Sequence, residues 1–201
     1  MRCYRFSLLI VVCGLGFTAA ALAGTVKFDF DTCTPILNAG LSTPLDQACG
    51  NVKAHFSSTH DGWWGGGYSV QNANTTFYIL HLFAGNYLMP NGLDPGALDV
   101  SFAAPLGAVT FPFATADFNQ NEVPTTIQMD AYFNTTLVGS KQAHGTYGND
   151  TMPMGTLTFD SGGRPFNRIE IWIPPAPLAS SDVLVDTIAV KVLAVASAKA
   201  P

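Results

Sequence analysis

A two-residue periodicity of side chains marks two segments late in the sequence, residues 168–173 and 183–190. Because side chains at every second position of a strand share one face, this periodicity predicts two half-buried β-strands. Trp172 falls in the polar row of the first strand, and Asp186 falls in the apolar row of the second. A large aromatic ring on a polar face and a carboxylate on an apolar face depart from the pattern, and such departures are where function is expected.

Shorter alternating segments, separated by turn signals, run through the rest of the sequence. Residues 75–83 are apolar on both faces, which predicts a strand in the middle of a sandwich. Residues 87–96 are rich in Pro, Gly and Asn and are predicted to form turns. The predicted strands span residues 25–31, 51–57, 68–70, 75–83, 97–102, 107–114, 125–133, 154–160, 166–173 and 183–192.

About nine or ten short strands with turns between them, and no convincing helix, are typical of an all-β domain. The strands differ in length, and both one-face and two-face apolar patterns occur. These features favour a two-sheet antiparallel β-sandwich of the jelly-roll kind, with a closed barrel as the alternative.

The first 23 residues have the features of a secretory signal peptide. Two arginines precede an apolar run at 7–17, and the small-x-small sequence at 21–23 predicts cleavage after Ala23. The apolar run is shorter than the ~20 residues that a spanning helix needs, so we expect no membrane span in the mature chain. The protein is therefore expected to be secreted, either to the extracellular space or into a periplasm.

Removal of these 23 residues from the 201 leaves 178, enough for one domain with a sizeable core. We expect a β-sandwich at 24–193 and a disordered tail at 194–201. Two of the nine basic residues leave with the signal, so seven remain against 14 acidic residues. An acidic chain without a basic cluster argues against binding to nucleic acid or to an anionic membrane surface.

Two cysteines, Cys33 and Cys49, remain after the signal is removed. An even pair in an oxidising compartment predicts a disulfide bond. A zinc site is the alternative, but the sequence has neither a CxxC motif nor a nearby histidine pair to complete it.

Several short motifs carry a resemblance to a group of bacterial exported proteins. The motifs lie at residues 98–111, 129–138, 166–171 and 183–190. Together they resemble the secreted jelly-roll domains of PEP-CTERM-type proteins, which are similar to galactose-binding-like carbohydrate-binding modules. The resemblance implies a jelly-roll fold and covers about half of the mature chain. The C-terminal Pro-Glu-Pro anchor of that group is absent, so we expect release rather than anchoring.

The same resemblance implies a structural calcium. In the modules that this chain resembles, an acidic residue after the first strand and an aspartate in the last strand bind the ion. Asp29, Asp31 and Asp186 occupy those places, and calcium takes six to eight oxygen ligands. The alternative is that Asp186 accepts hydrogen bonds from backbone N–H groups at a strand end, or pairs with Lys27 or Arg168.

Aromatic side chains next to polar ones form the predicted ligand site. A sugar ring stacks on an aromatic plane while nearby polar groups bind its hydroxyls. The tryptophans of the Gly-rich loop at 58–67 could instead fold back as a lid over the core. The predicted ligand-binding residues are Trp63, Trp64, Tyr68, Arg168, Glu170 and Trp172.

No catalytic motif stands out in the sequence. There is no Gly-x-Ser-x-Gly elbow and no SxxK motif, and of the two glutamates only Glu170 lies in the predicted site. We therefore expect a non-catalytic protein that binds polysaccharide, a cell-surface glycan or another extracellular polymer. A self-associating structural or adhesive matrix protein is the alternative, and a hydrolase acting on glycans is the third interpretation.

Overall fold

A computed structural model describes residues 22–92, 96–116, 126–174 and 182–194. Within these ranges the chain forms twelve β-strands and no helix. None of the described segments is therefore a helix long and apolar enough to cross a membrane. The strands are β1 (Leu22–Phe28), β2 (Leu45–Cys49), β3 (Val52–Ser58), β4 (Tyr68–Asn72), β5 (Asn86–Pro90), β6 (Leu98–Ala116), β7 (Thr126–Phe133), β8 (Thr136–His144), β9 (Met154–Asp160), β10 (Phe166–Trp172), β11 (Asp182–Val185) and β12 (Ile188–Leu193).

The 19-residue strand β6 connects the two sheets of the domain. Its first part pairs with β3 and β10, and its second part pairs with β12, β11 and β9. The sequence predicted two strands here, at 97–102 and 107–114. The chain instead continues through Pro105, which lies where the pairing with β10 changes register. Proline has no N–H group to donate, so it is tolerated at such an irregularity.

The two sheets enclose one main apolar core. The first sheet has the order β2-β3-β6-β10-β7-β8, and the second contains β4, β5, β11, β6 and β9, with β12 and β1 beside them. Every pairing between strands is antiparallel. Val100 and Ile169 of the first sheet pack with Phe111 and Val190 of the second. The predicted all-β antiparallel sandwich is confirmed, with twelve strands instead of nine or ten.

The strand predicted at 75–83 is wrong. These residues form turns, because Asn72 accepts a hydrogen bond from the Asn74 N–H through its side chain and another from the Thr75 N–H through its carbonyl. The segment then crosses the outer face of the second sheet, where Leu80 and Phe83 join a second apolar cluster. The apolar pattern on both faces therefore belongs to the loop between β4 and β5, residues 73–85, which we call the covering loop, and not to a central strand.

Two other short strands also differ from prediction. Residues 86–90, which fall largely in a region predicted as turns, form β5, in which Leu88 belongs to the main core and Tyr87 to the second apolar cluster. Residues 32–50, which lie between the first two predicted strands, contain β2. Both strands are five residues long, so their periodicity is too short to stand out from the proline and asparagine around them.

The predicted disulfide is confirmed: Cys33 bonds to Cys49 across 16 residues and ties the segment after β1 to the end of β2. Both cysteines are buried. We therefore expect thiol titration of the folded, unreduced protein to detect no reactive thiol from this pair, and two reactive thiols would contradict the bond.

The predicted processing segments fall mostly outside the described residues. Of the signal segment 1–23, only Leu22 and Ala23 are described, and they begin β1 opposite Leu193 of β12. Of the tail 194–201, only Ala194 is described. Cleavage after Ala23 and disorder of the tail stay predictions.

Candidate functional site

The strand register brings all three tryptophans of the chain to one end of the first sheet. Ser58 at the end of β3 pairs with Leu98 at the start of β6, and Leu98 pairs in turn with Ile171 of β10. The loop that follows Ser58 carries Trp63 and Trp64, and Trp172 follows Ile171 directly. Because Ile171 points into the core, Trp172 lies on the outer face at the same end.

Hydrogen bonds within the loop hold its backbone in place. One carboxylate oxygen of Asp61 accepts from the Thr43 hydroxyl at 2.5 Å, and the other accepts from the Ser58 N–H at 2.7 Å. The Gly66 N–H donates to the carbonyl of Trp63 at 3.0 Å. A Cβ atom at Gly66 would overlap the carbonyl oxygen of His60, so glycine is required for this close approach.

Both loop tryptophans face solvent. The exposed fraction is 61% for Trp63 and 103% for Trp64, so the alternative that they fold back over the core is wrong. The His60 ring stacks on Trp63 with 4.1 Å between ring centroids and 4° between planes. This stacking leaves one face of the Trp63 ring for another partner, and the Trp64 ring is available on both faces.

Tyr68 is a correction to the predicted site, because its side chain is only 1% exposed. Its hydroxyl donates to the carbonyl of Gly96 at 3.1 Å, just before β6. Burial raises the pKa of the Tyr68 phenol, and the charge of Asp182 raises it further. Tyr68 therefore packs under the tryptophan loop and supports it from the core instead of facing a ligand.

An ion cluster lies next to the tryptophans on the outer face of the first sheet. Arg168 donates through Nε to Asp99 at 2.6 Å and through its terminal nitrogen to Glu170 at 2.5 Å. The hydrogen bond to Asp99 raises the pKa of Arg168, although burial opposes it. The guanidinium also lies 4.9 Å from the centre of the Tyr132 ring. Predicted Arg168 and Glu170 are thus adjacent, with Asp99 and Tyr132 completing the cluster.

Trp172 is held by a carboxylate of the neighbouring strand. Its indole N–H donates to Asp130 of β7 at 3.1 Å, and Gln128 donates to the other oxygen of Asp130 at 2.9 Å. The ring is half-buried. Asp99, Asp130 and Tyr132 are absent from the predicted site. Their outward positions in alternating strands can be read from the sequence, but the register that sets them beside Arg168 and Trp172 cannot.

Two of the three predicted calcium ligands meet at one loop. Asp186 lies in the break between β11 and β12 and accepts from the Ala84 N–H at 2.8 Å. Asp31 accepts from the Asn86 N–H at 2.9 Å. Both carboxylates therefore fasten the same stretch of backbone, at 84–86. The alternative to calcium predicted that Asp186 accepts hydrogen bonds from backbone N–H groups at a strand end, and the contact with Ala84 is of this kind.

Asp29 serves a separate turn. Its carboxylate accepts from the Thr32 N–H at 2.9 Å and the Thr32 hydroxyl at 2.6 Å. Burial alone would raise the pKa of Asp29, but these hydrogen bonds and one from the Asp31 N–H outweigh it, so the pKa is lowered. Among the residues that the structure describes, no three His, Cys, Asp or Glu side chains form a group that could hold a metal.

The calcium expectation stays a prediction, now resting on Asp31 and Asp186. If calcium binds there, the melting temperature is expected to be higher in excess calcium than with a chelator. If the oxygens bind only the backbone N–H groups, the two melting temperatures are equal. A midpoint several degrees higher in calcium would show that an ion binds the folded state.

The carboxylate contacts require glycine at position 85. Gly85 has φ of 68°, and a Cβ atom there would overlap the Asp31 carboxylate. We expect Gly85→Ala to lower the unfolding free energy by about 2 kcal/mol through left-handed strain and displacement of Asp31. Gly50→Ala is the matched control, since Gly50 has φ of 58° with open space around it. Equal losses in urea unfolding would contradict a specific role for the Asp31 contact.

No family model matches this chain, and no curated protein sequence matches it, so the resemblance to PEP-CTERM-type domains stays a prediction. Solved structures are similar to it, and two of them are adhesin domains of Lys-gingipain. The K1 cleaved adhesin domain of Lys-gingipain from Porphyromonas gingivalis W83 shares 12% identity and a TM-score of 0.46, over 85% of this chain and 99% of that one. The K2 cleaved adhesin domain of Lys-gingipain shares 11% identity and a TM-score of 0.47, over 83% and 99%. At these scores the likeness carries no conclusion about function.

Proposed function

We propose that the protein is a secreted, non-catalytic β-sandwich that binds a glycan through the tryptophans at one end of its first sheet. The observation that carries this proposal is the wholly exposed ring of Trp64, presented on a loop whose backbone is fixed by Asp61. Trp63 and Trp64 are both exposed and adjacent in the chain, and a contiguous exposed apolar patch is a feature of binding sites. The buried disulfide fits an oxidising compartment and hence secretion.

Sugar is the partner that suits these side chains best. The indole rings offer flat apolar surfaces for the C–H face of a pyranose. Asp130 and Gln128 beside Trp172 offer oxygens and an amide for hydroxyl groups. An apolar platform with a few placed polar groups is the usual composition of a small-molecule or saccharide site.

Affinity electrophoresis tests the proposal. The native protein is run in gels that contain soluble xyloglucan, galactomannan, dextran or chitosan, beside gels without polysaccharide. We expect at least one polysaccharide to retard the protein relative to an inert reference protein. Mobility that is unchanged in every gel would contradict glycan binding.

Self-association is a second candidate function, because three large apolar side chains stand exposed on the covering loop. The exposed fraction is 84% for Phe77, 54% for Ile79 and 47% for Leu82. Sedimentation velocity separates the two functions. A monomer that binds polysaccharide supports the glycan proposal, whereas association that depends on Phe77 without polysaccharide binding supports the adhesive one.

A further inference from the structure

A trough of about 520 Å³ lies on the outer face of β4 and β5, away from the ion cluster. Ser69 and Gln71 of β4 form its floor together with Tyr87 and Met89 of β5, and these residues pair across the two strands. The alternate residues of the same strands, such as Val70, point into the main core. The covering loop forms one wall of the trough, where Phe77 and Tyr78 line it.

The lining of the trough is uncharged. Its described residues carry amide, hydroxyl, thioether and aromatic groups, and none of them is Asp, Glu, Lys, Arg or His. A charged ligand would find no counter-ion there, and a purely apolar ligand would bury amide groups without partners. The chemistry that matches such a lining is a neutral molecule rich in hydroxyl groups.

Polar atoms and an exposed ring are placed along the trough. Gln71 donates to the Ser69 hydroxyl at 3.1 Å, and Asn91 donates to the carbonyl of Gly66 at 3.3 Å. The side-chain oxygens of both amides accept no hydrogen bond from the residues that the structure describes. At the other end, the Phe77 ring packs against Tyr78 with centroids 4.2 Å apart and stays 84% exposed.

A peptide strand cannot occupy this place by adding to the sheet. β4 ends the strand order, but residues 40–43 already cover its outer edge. The Gly40 N–H donates to Val70 at 2.9 Å, and the Val70 N–H donates to Leu41 at 2.8 Å. Because these backbone groups are used, an incoming strand would find few partners for β-augmentation.

We propose that this trough is a second glycan site that takes a neutral, linear oligosaccharide, with Phe77 stacking on a sugar ring and Gln71 and Asn91 bonding its hydroxyls. The floor strand spans five residues, or ~16 Å at the rise of a β-strand, which is room for more than one sugar ring. The site is separate from the tryptophan loop. Asn91, bonded to Gly66 of that loop, marks where the two surfaces meet.

The test compares the variants Phe77→Ala and Gln71→Ala with the wild type by isothermal titration with xyloglucan, galactomannan, dextran and hydroxyethyl cellulose. Each variant is expected to bind the preferred neutral polysaccharide about tenfold more weakly, the loss of one stacked ring or one well-placed amide. Phe133→Ala is the matched control, because Phe133 is a 39% exposed phenylalanine at the end of β7. We expect the Phe133→Ala variant to bind the polysaccharide with the affinity of the wild type.

Two results overturn the inference. In the first, both trough variants bind every neutral polysaccharide with the affinity of the wild type. In the second, the wild type binds none of these polysaccharides.

A variant of the tryptophan loop separates this inference from the proposed function. If Trp64→Ala loses binding while Phe77→Ala retains it, the trough proposal falls and the proposed function stands. If only the trough variants lose binding, the tryptophan site falls instead. Melting temperatures confirm folding, since Phe77 is exposed and its removal leaves no cavity.

Discussion

Replacement of Asp186 with alanine is expected to lower the free energy of unfolding by about 4 kcal/mol, since it leaves two backbone N–H groups and a hydroxyl without their carboxylate acceptor. The carboxylate, in a residue 2% exposed, accepts from the Ala84 N–H at 2.8 Å and from the Thr187 N–H at 2.6 Å. It also accepts from the Thr187 hydroxyl at 3.0 Å. Urea unfolding of the variant and the wild type measures the loss.

Thr32→Ala is the control for this experiment, because it removes a hydrogen bond to a carboxylate in the exposed turn at Asp29 and not in the core. We expect it to cost about 0.5–1 kcal/mol. A loss for Asp186→Ala no larger than this control would contradict the view that Asp186 fastens the covering loop to the sandwich.

The charge of Asp186 makes its contribution depend on pH. Burial raises its pKa, hydrogen bonds from Ala84 and Thr187 oppose the rise, and the charge of Asp31 adds to it. A carboxyl whose pKa is higher folded than unfolded binds its proton more tightly in the folded state. The part of the stability that comes from this tighter proton binding is therefore full below the unfolded pKa of 3.8 and is lost as the pH rises through the folded pKa.

Comparison with Asp186→Asn isolates this effect. The stability of the wild type relative to the asparagine variant should increase as the pH falls from 7 toward 3.8. Urea unfolding of both proteins at several pH values gives the difference. A difference that shrinks on acidification would mean that the folded state favours the charged form.

The second large effect concerns binding. The double variant Trp63→Ala/Trp64→Ala is expected to bind its polysaccharide roughly 100-fold more weakly, at about tenfold for each stacked ring. Both rings are exposed, and the hydrogen bonds that fix the loop are made by Asp61, Thr43 and backbone groups. Isothermal titration measures the change in affinity.

The loop variant should remain folded, because neither tryptophan belongs to the apolar core. Tyr147→Ala is a suitable control, since Tyr147 is 48% exposed and lies in a loop after β8. Affinity of the double variant within twofold of the wild type, with unchanged melting temperature, would exclude the loop as the glycan site.

Alternation of side chains predicted the strands that form regular ladders. Residues 126–133 and 166–172 pair in register as β7 and β10, and Trp172 lies on the outer face as its row indicated. The disulfide followed from the count of cysteines and the signal peptide alone. These features depend on local spacing or on composition, which a sequence displays directly.

Features that depend on which strands are neighbours could not be read in this way. Asp99 and Arg168 lie 69 positions apart, and Ala84 and Asp186 lie 102 apart. Nothing in the local pattern around either residue specifies its partner. Asp186 was predicted to lie within one strand, on its apolar face. It lies instead between β11 and β12, where its carboxylate accepts from the Thr187 N–H. The covering loop was predicted as a strand for a related reason. Its apolar residues pack on the outer face of a sheet, and the local periodicity of the loop does not show that this sheet is there.

Tryptophan fluorescence during titration with polysaccharide tests the central claim most directly. The chain has three tryptophans, and all of them lie at the proposed site. We therefore predict that the polysaccharide which retards the protein in gels also shifts or quenches its emission, with the dissociation constant found by calorimetry. Saturating binding by calorimetry with no change in tryptophan emission would place the glycan elsewhere and contradict the account.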